Sequence, residues 1–299
     1  MLQQRERRTR TVTAILKREL RSYYTSMTGY IIAAFLLLFI GIYTMAINLS
    51  YGYPNFEYVL DAMTFVYMIL IPLLTMRLLA EERKQKTDLL LYSLPLSSLE
   101  IVLGKFLAAC AVLALPLLIA GIDPLILSRF GTVNFATAYA ALFAFFLMGC
   151  ALISVGLFLS ALTENQLVAG LLSFFVLLLN YFATGLANYV SSASYASFIV
   201  LMILGLIAAL LVRFMTKNTV VALVFAVIAD GGMLVCYLLN SGWFSGISGT
   251  VLNAVSIFSR LSSFINSVFD FRAIVYFLSV IGIFLFLTVQ ALEKRRWNG

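Results

Sequence analysis

EERKQKTDLLLYSLPLS, residues 81–97, gathers Glu81, Glu82, Arg83, Lys84, Lys86 and Asp88 at one place in a 299-residue chain that is 11% charged and 63% hydrophobic. On both sides the ions stop: one apolar block ends near residue 79 and another begins near residue 100. A helix needs about 20 apolar residues, at about 1.5 Å each, to cross a hydrocarbon core about 30 Å thick. The charged stretch therefore reads as a loop between two membrane spans. A mean hydropathy of +1.03 places the whole chain with integral membrane proteins, because a soluble domain needs a polar surface.

Working outward, about eight such blocks lie near residues 28–50, 58–79, 100–122, 136–161, 166–187, 195–212, 219–239 and 271–291, the sixth being the weakest. Their continuous apolar runs lack the period-two alternation of a barrel strand, so the expected fold is an all-α membrane protein. If the N-terminus is cytoplasmic, all of the 20 Lys and Arg residues except Arg129, Arg260 and Arg272 fall on the inner side. This asymmetry predicts a multi-pass protein of the plasma (inner) membrane with both termini cytoplasmic. The first block is too long for a signal-peptide core and is expected to be retained. Cys110, Cys150 and Cys236 fall within blocks and read as packing residues.

Histidine is absent, which removes several membrane chemistries. Gly246-Ile247-Ser248-Gly249 matches an intramembrane serine-nucleophile pattern, but no imidazole exists to take the proton. The pair Glu81-Glu82 meets the same objection as a metalloprotease motif. Gly104-Lys105 is followed by Phe106, and Leu99 stands where a phosphate loop needs its first glycine. With no loop long enough for an ATPase domain, the chain is expected to be no enzyme, with no catalytic, metal or cofactor residue of its own.

Residues 1–27 form a separate basic segment ahead of the membrane domain, 28–299. Within it, Val12, Ile15, Leu16, Leu20, Tyr23 and Tyr24 recur at helical spacing while Lys17, Arg18 and Arg21 fall largely elsewhere. This amphipathic helix suits the inner interface against anionic membrane lipids. The loop 81–99 differs, because alternating charge signs suit a protein contact better than a lipid patch. Ser97 and Glu100 fit a capping box opening the third span.

The run EERKQKTDLLLYSLPLSSLEIVLGKF, residues 81–106, resembles the loop of type-2 ABC exporter permeases: paired glutamates, a basic run, Thr, a leucine-rich helix, a Pro turn and a Gly-Lys at the next span. FDFRAIVYFLSVIGIFLFLTVQALEKRRW, residues 269–297, resembles the last span of their gliding-motility-type (GldF-like) branch. The resemblance implies a permease subunit that pairs with a second permease, as homodimer or heterodimer. It also implies separate ABC ATPase subunits that bind ATP and Mg, and an accessory extracytoplasmic subunit is a further implied partner. It identifies the leading helix, with Lys17, Arg18 and Arg21, as a connecting helix. Glu81, Glu82 and Arg83, with Leu90, Leu91, Leu94 and Pro95 in the apolar run, become ATPase-coupling residues. No nucleic-acid partner is expected. The family core has six spans, so two, within residues 195–240, are extra.

In the outer loop 241–270, Val251, Val255, Phe258, Leu261, Ile265 and Phe269 make a helical stripe too polar to span, expected to be a re-entrant or interfacial helix. Asp230 lies inside the seventh block beside Gly231-Gly232. A carboxylate there costs about 2.5–3.5 kcal/mol on insertion scales, so a partner or a wet cavity is expected. It reads either as a pathway or proton site or as a packing residue beside a glycine kink. As the coupling site of an ion-gradient-driven secondary transporter, it defines the alternative to the ATP-driven exporter.

Overall fold

The computed structural model describes residues 2–86, 97–189, 194–216 and 218–298, which are helical and contain no strand. Helix α1 (Leu2–Thr25) is followed, through Met27 in the left-handed region at φ 60°, by α2 (Thr28–Tyr43). A π-helical stretch, Thr44–Ser50, prolongs α2 into the first span. Then come α3 (Glu57–Thr75), the short α4 (Ala80–Lys84), α5 (Ser98–Ala120), α6 (Asp123–Leu127), α7 (Phe135–Leu162) and α8 (Gln166–Tyr189). The chain continues through α9 (Ser194–Thr216), α10 (Thr219–Leu239), α11 (Ile247–Val255), α12 (Ser262–Ile265) and α13 (Phe271–Asn298).

Among the described residues, 7 helical stretches are long and apolar enough to cross a membrane: Thr28–Ser50, Glu57–Lys84, Ser98–Leu127, Phe135–Leu162, Gln166–Ala183, Thr219–Leu239 and Phe271–Arg296. The expected sixth block is present as α9, a helix of 23 residues with Arg213 in its last turn. Seven of the about eight expected spans are thus matched among the described residues by helices long and apolar enough to cross, and α9 occupies the place of the remaining block.

The chain divides into two compact units, residues 1–177 with 260–299, and residues 178–259. In the first, α3, α5 and α7 bury most of their surface, whereas α2 and α13 leave most of theirs exposed. Inside a bilayer, helices gain little from burying apolar surface against one another, so close packing at small residues must hold them together. Gly149 on α7 is such a point: a Cβ added there would lie 2.5 Å from Leu113 and 3.0 Å from Tyr67. Tyr67 itself stacks on Phe145, with ring centroids 4.1 Å apart. About two helical turns further, Gly156 lets α7 meet Thr75 at the end of α3, and Phe158 packs on Phe284 of α13.

The second unit contains α9 and α10 with α11. Phe198 stacks on Tyr237 at 4.5 Å, and Phe244 caps both rings edge-on. The outer stripe differs from expectation. Instead of one helix it breaks after Val255, because Asn180 takes over the backbone there: its amide donates to the Val255 carbonyl at 2.9 Å, and its side-chain oxygen accepts from Ile257 N at 2.8 Å. Ser256 is extended at the break, and a 3-10 turn, Phe258–Leu261, and α12 follow.

The Gly156 contact predicts that Gly156→Ala overpacks the α3–α7 seam and costs about 1–3 kcal/mol, read as a lower thermal midpoint of the purified protein. Gly41→Ala, inside the first span with nothing within 4 Å of its Cβ position, is expected to leave the midpoint unchanged or raise it.

Candidate functional site

Where α1 crosses the start of α5, the two backbones come close enough that a Cβ on Gly104 would lie 2.6 Å from Ile15. The apolar stripe predicted for residues 11–25 is present, with Ile15 and Tyr23 buried. It faces protein rather than lipid: Ile15 packs with Ile101 of α5, and the Tyr23 hydroxyl donates to the Leu74 carbonyl of α3 at 3.0 Å. Burial, with Glu19 nearby, pushes the Tyr23 phenol far up, so it stays a neutral donor. Lys17 and Arg21 are exposed on the opposite side.

Lys105 follows Gly104, and its side chain is 1% exposed. A buried ammonium needs charged partners, and two carboxylates supply them: Glu19 of α1 at 3.2 Å and Glu82 of α4 at 2.9 Å. Arg18 bridges the same two carboxylates from outside, at 2.7 Å to Glu19 and 2.9 Å to Glu82. Four side chains thus join α1, α4 and α5. Burial alone would raise the pKa of Glu19, but attraction to Lys105 and hydrogen bonds from Arg18 and Lys105 outweigh it and hold the carboxyl below its ordinary value.

The turn between α3 and α4 is anchored separately on α7. The Ser160 hydroxyl accepts from Leu79 N and Ala80 N, each at 3.2 Å, replacing the backbone acceptors that the turn lacks. Arg83 is buried and donates to the Ala161 carbonyl. Glu81 accepts from Gln85. The capping box at the head of α5 is present in full, with Glu100 N bonded to Ser97 Oγ at 3.3 Å and Ser97 N bonded to Glu100 Oε2 at 3.1 Å. Asn165 caps α8 through Leu167 N at 3.0 Å, and Glu164 pairs with Arg295 of α13 at 2.5 Å.

Of the predicted site residues, Arg18 and Glu82 meet directly, and Glu81 and Arg83 lie beside them. Leu90, Leu91, Leu94 and Pro95 lie outside the described residues. Asp230 is elsewhere: it and Ala222 are the buried residues of α10, and it packs against Gly205 of α9 so closely that a Cβ on that glycine would meet its Oδ1. That oxygen is buried and has no hydrogen-bond partner. Sequence reasoning missed Glu19, and it treated Lys105 as an inside charge, a failed phosphate-loop lysine and part of the Gly-Lys element of the resemblance, without a counter-charge. The available signal was a cation in the second turn of a span, where it requires a counter-charge.

A family model for the ABC-2 family transporter protein matches residues 13–198. The chain belongs to the ABC-2 transporter family. Its members are membrane transport components, and the match covers all four residues of the ion network. It ends within the first turns of α9, so most of α9 and all of α10 and α13 lie outside it. Comparison with curated proteins finds no match.

Lys105→Met is expected to leave two largely buried carboxylates with Arg18 as their remaining cation in the network and to cost about 3 kcal/mol, read as a loss of thermal stability. Glu19, held low, contributes stability that is present above the ordinary carboxylate range near 4.5 and lost as pH falls through its folded value. Melting curves of wild type and Glu19→Gln should therefore differ most at pH 7 and draw together as the pH falls from the ordinary carboxylate range through the lower folded value.

Proposed function

We propose that this ABC-2 family member is the transmembrane subunit of an ATP-driven exporter of the gliding-motility-type (GldF-like) branch. It works as a dimer with a second permease in the plasma (inner) membrane, with both termini cytoplasmic. ATP and Mg bind to separate ABC ATPase subunits, and an accessory extracytoplasmic subunit completes the assembly. Helix α1 is the connecting helix, and residues 81–99 are the coupling loop, with Leu90, Leu91, Leu94 and Pro95 docking on the ATPase.

The observation that carries this reading is the ion network. A push on the loop 81–99 enters the membrane domain at α4, and Glu82 hands it to Lys105 on α5 and to Arg18 and Glu19 on α1. Arg83 and Ser160 transmit the same displacement to α7. Rigid elements linked in this way can rock as a body between two arrangements. In this reading Glu82 and Arg83 anchor the loop from within, Glu81 lies beside them, and the leucines bear the contact. The family match favours ATP as the driving force over an ion gradient acting through Asp230.

The test is co-expression with the partner ABC ATPase, followed by affinity purification. Leu91→Asp with Leu94→Asp is expected to abolish co-purification and ATPase stimulation while the variant still folds. Retention of both activities by the double variant would contradict the docking assignment.

A further inference from the structure

Between α1, the head of α2 and the α3–α4 turn lies a cavity of about 360 Å³, lined in part by Arg18, Glu19, Tyr23, Arg77, Glu81 and Lys105. Its size falls at the lower end of the range, about 300–1,000 Å³, that takes small ligands. Arg18, Glu19, Glu82 and Lys105 neutralise one another in the ion network. Two lining charges, Arg77 and Glu81, stand outside it, one of each sign, and no ion pair joins them. The Arg77 guanidinium gives one hydrogen bond, from Nη1 to Thr28 Oγ1 at 3.0 Å, while its buried Nε has no partner. Thr28 Oγ1 is in turn 3.1 Å from the Ser26 hydroxyl.

We propose that this cavity is a phospholipid headgroup site, in which Arg77, Ser26 and Thr28 bind the phosphodiester and Glu81 accepts hydrogen bonds from a primary ammonium. A planar guanidinium with donors to spare, flanked by hydroxyls, is the usual chemistry for a phosphate oxygen. The first turn of α2 adds backbone amides with no side-chain cap, which favour an anion in the same place. The carboxylate at the other end distinguishes an ethanolamine headgroup from a purely anionic one. It also distinguishes a primary ammonium, which can donate hydrogen bonds, from a quaternary one, which cannot.

The position selects a lipid over a free ion. Thr28 starts the first span and Arg77 follows the end of α3, so the cavity lies at the level where the apolar part of the protein stops. From Thr28 the exposed apolar side chains of Tyr30, Ile31, Phe35 and Leu38 run along α2, a path for acyl chains leading from the cavity into the bilayer. The occupant would also fill the space beneath α1, bracing the connecting helix on the span ends. The site requires only the membrane position of the spans, so it can fail or succeed independently of the ATPase assignment.

The test is native mass spectrometry of the purified full-length chain, titrated with dioleoyl phosphatidylethanolamine, phosphatidylglycerol or phosphatidylcholine, with inorganic phosphate as competitor. The wild type is expected to bind phosphatidylethanolamine about ten-fold tighter than the other two lipids, and inorganic phosphate in the low millimolar range should not displace it. Arg77→Gln should weaken all three lipids. Glu81→Gln should remove the preference for ethanolamine while leaving phosphatidylglycerol binding unchanged, a readout that loss of fold cannot imitate. Equal binding of the three lipids by the wild type would overturn the proposal, as would an unaltered preference in Glu81→Gln. Displacement by inorganic phosphate would overturn the lipid assignment and leave a free-anion site.

Discussion

A lysine 1% exposed in the second turn of a membrane-spanning helix fixes the arrangement around it. An ammonium in that position is tolerable only if carboxylates come to it, and those available are far away in sequence, on α1 and α4. Meeting that demand pulls α1 onto α5, which Gly104 permits by offering no side chain against Ile15. It also draws in the chain that leaves α3, whose turn needs the Ser160 hydroxyl from α7. One buried charge thus determines where four helices meet, and the same contacts tie Glu82 and Arg83, at the start of the loop, to the membrane domain.

Much of this was legible in the sequence where the signal is local. The spans appear as apolar runs because bilayer thickness sets their length, and the predicted blocks 28–50 and 219–239 coincide with spans of the structure. The capping box depends on two residues three apart, and the stripe of α1 on a single helix, so both could be read directly. The network could not, because Glu19 and Lys105 are separated by 86 residues and nothing in either segment names the other. The partner of the stripe was misjudged for a related reason: amphipathicity shows that a face will be covered but not by what. The outer stripe failed because a distant side chain, Asn180, competes for the backbone groups that a continuous helix would use.

The two compact units differ in kind. The first carries the ion network, the Gly149 and Gly156 contacts and nearly all of the family match. The second exposes most of the apolar side chains of α10 and buries Asp230 against Gly205, with one oxygen unpaired. A carboxylate placed in this way costs stability, and no contact within its own unit compensates for that oxygen. The family match stops near the start of α9. It covers only the start of α9 and none of α10, the helices expected from sequence to be extra to the family core, and it leaves out α13 as well; the buried Asp230 lies on α10.

The central claim is that α1 and the start of the loop move as one piece because Lys105 binds both. It is tested most directly by electron spin resonance distance measurement between labels at Lys17 and Gln85, in a chain freed of Cys110, Cys150 and Cys236 and assembled with its ATPase. The account predicts one narrow distance distribution that is the same with and without ATP, broadening when Lys105 is replaced by Met. A distribution that shifts by several ångströms on ATP binding while Lys105 is intact would contradict it.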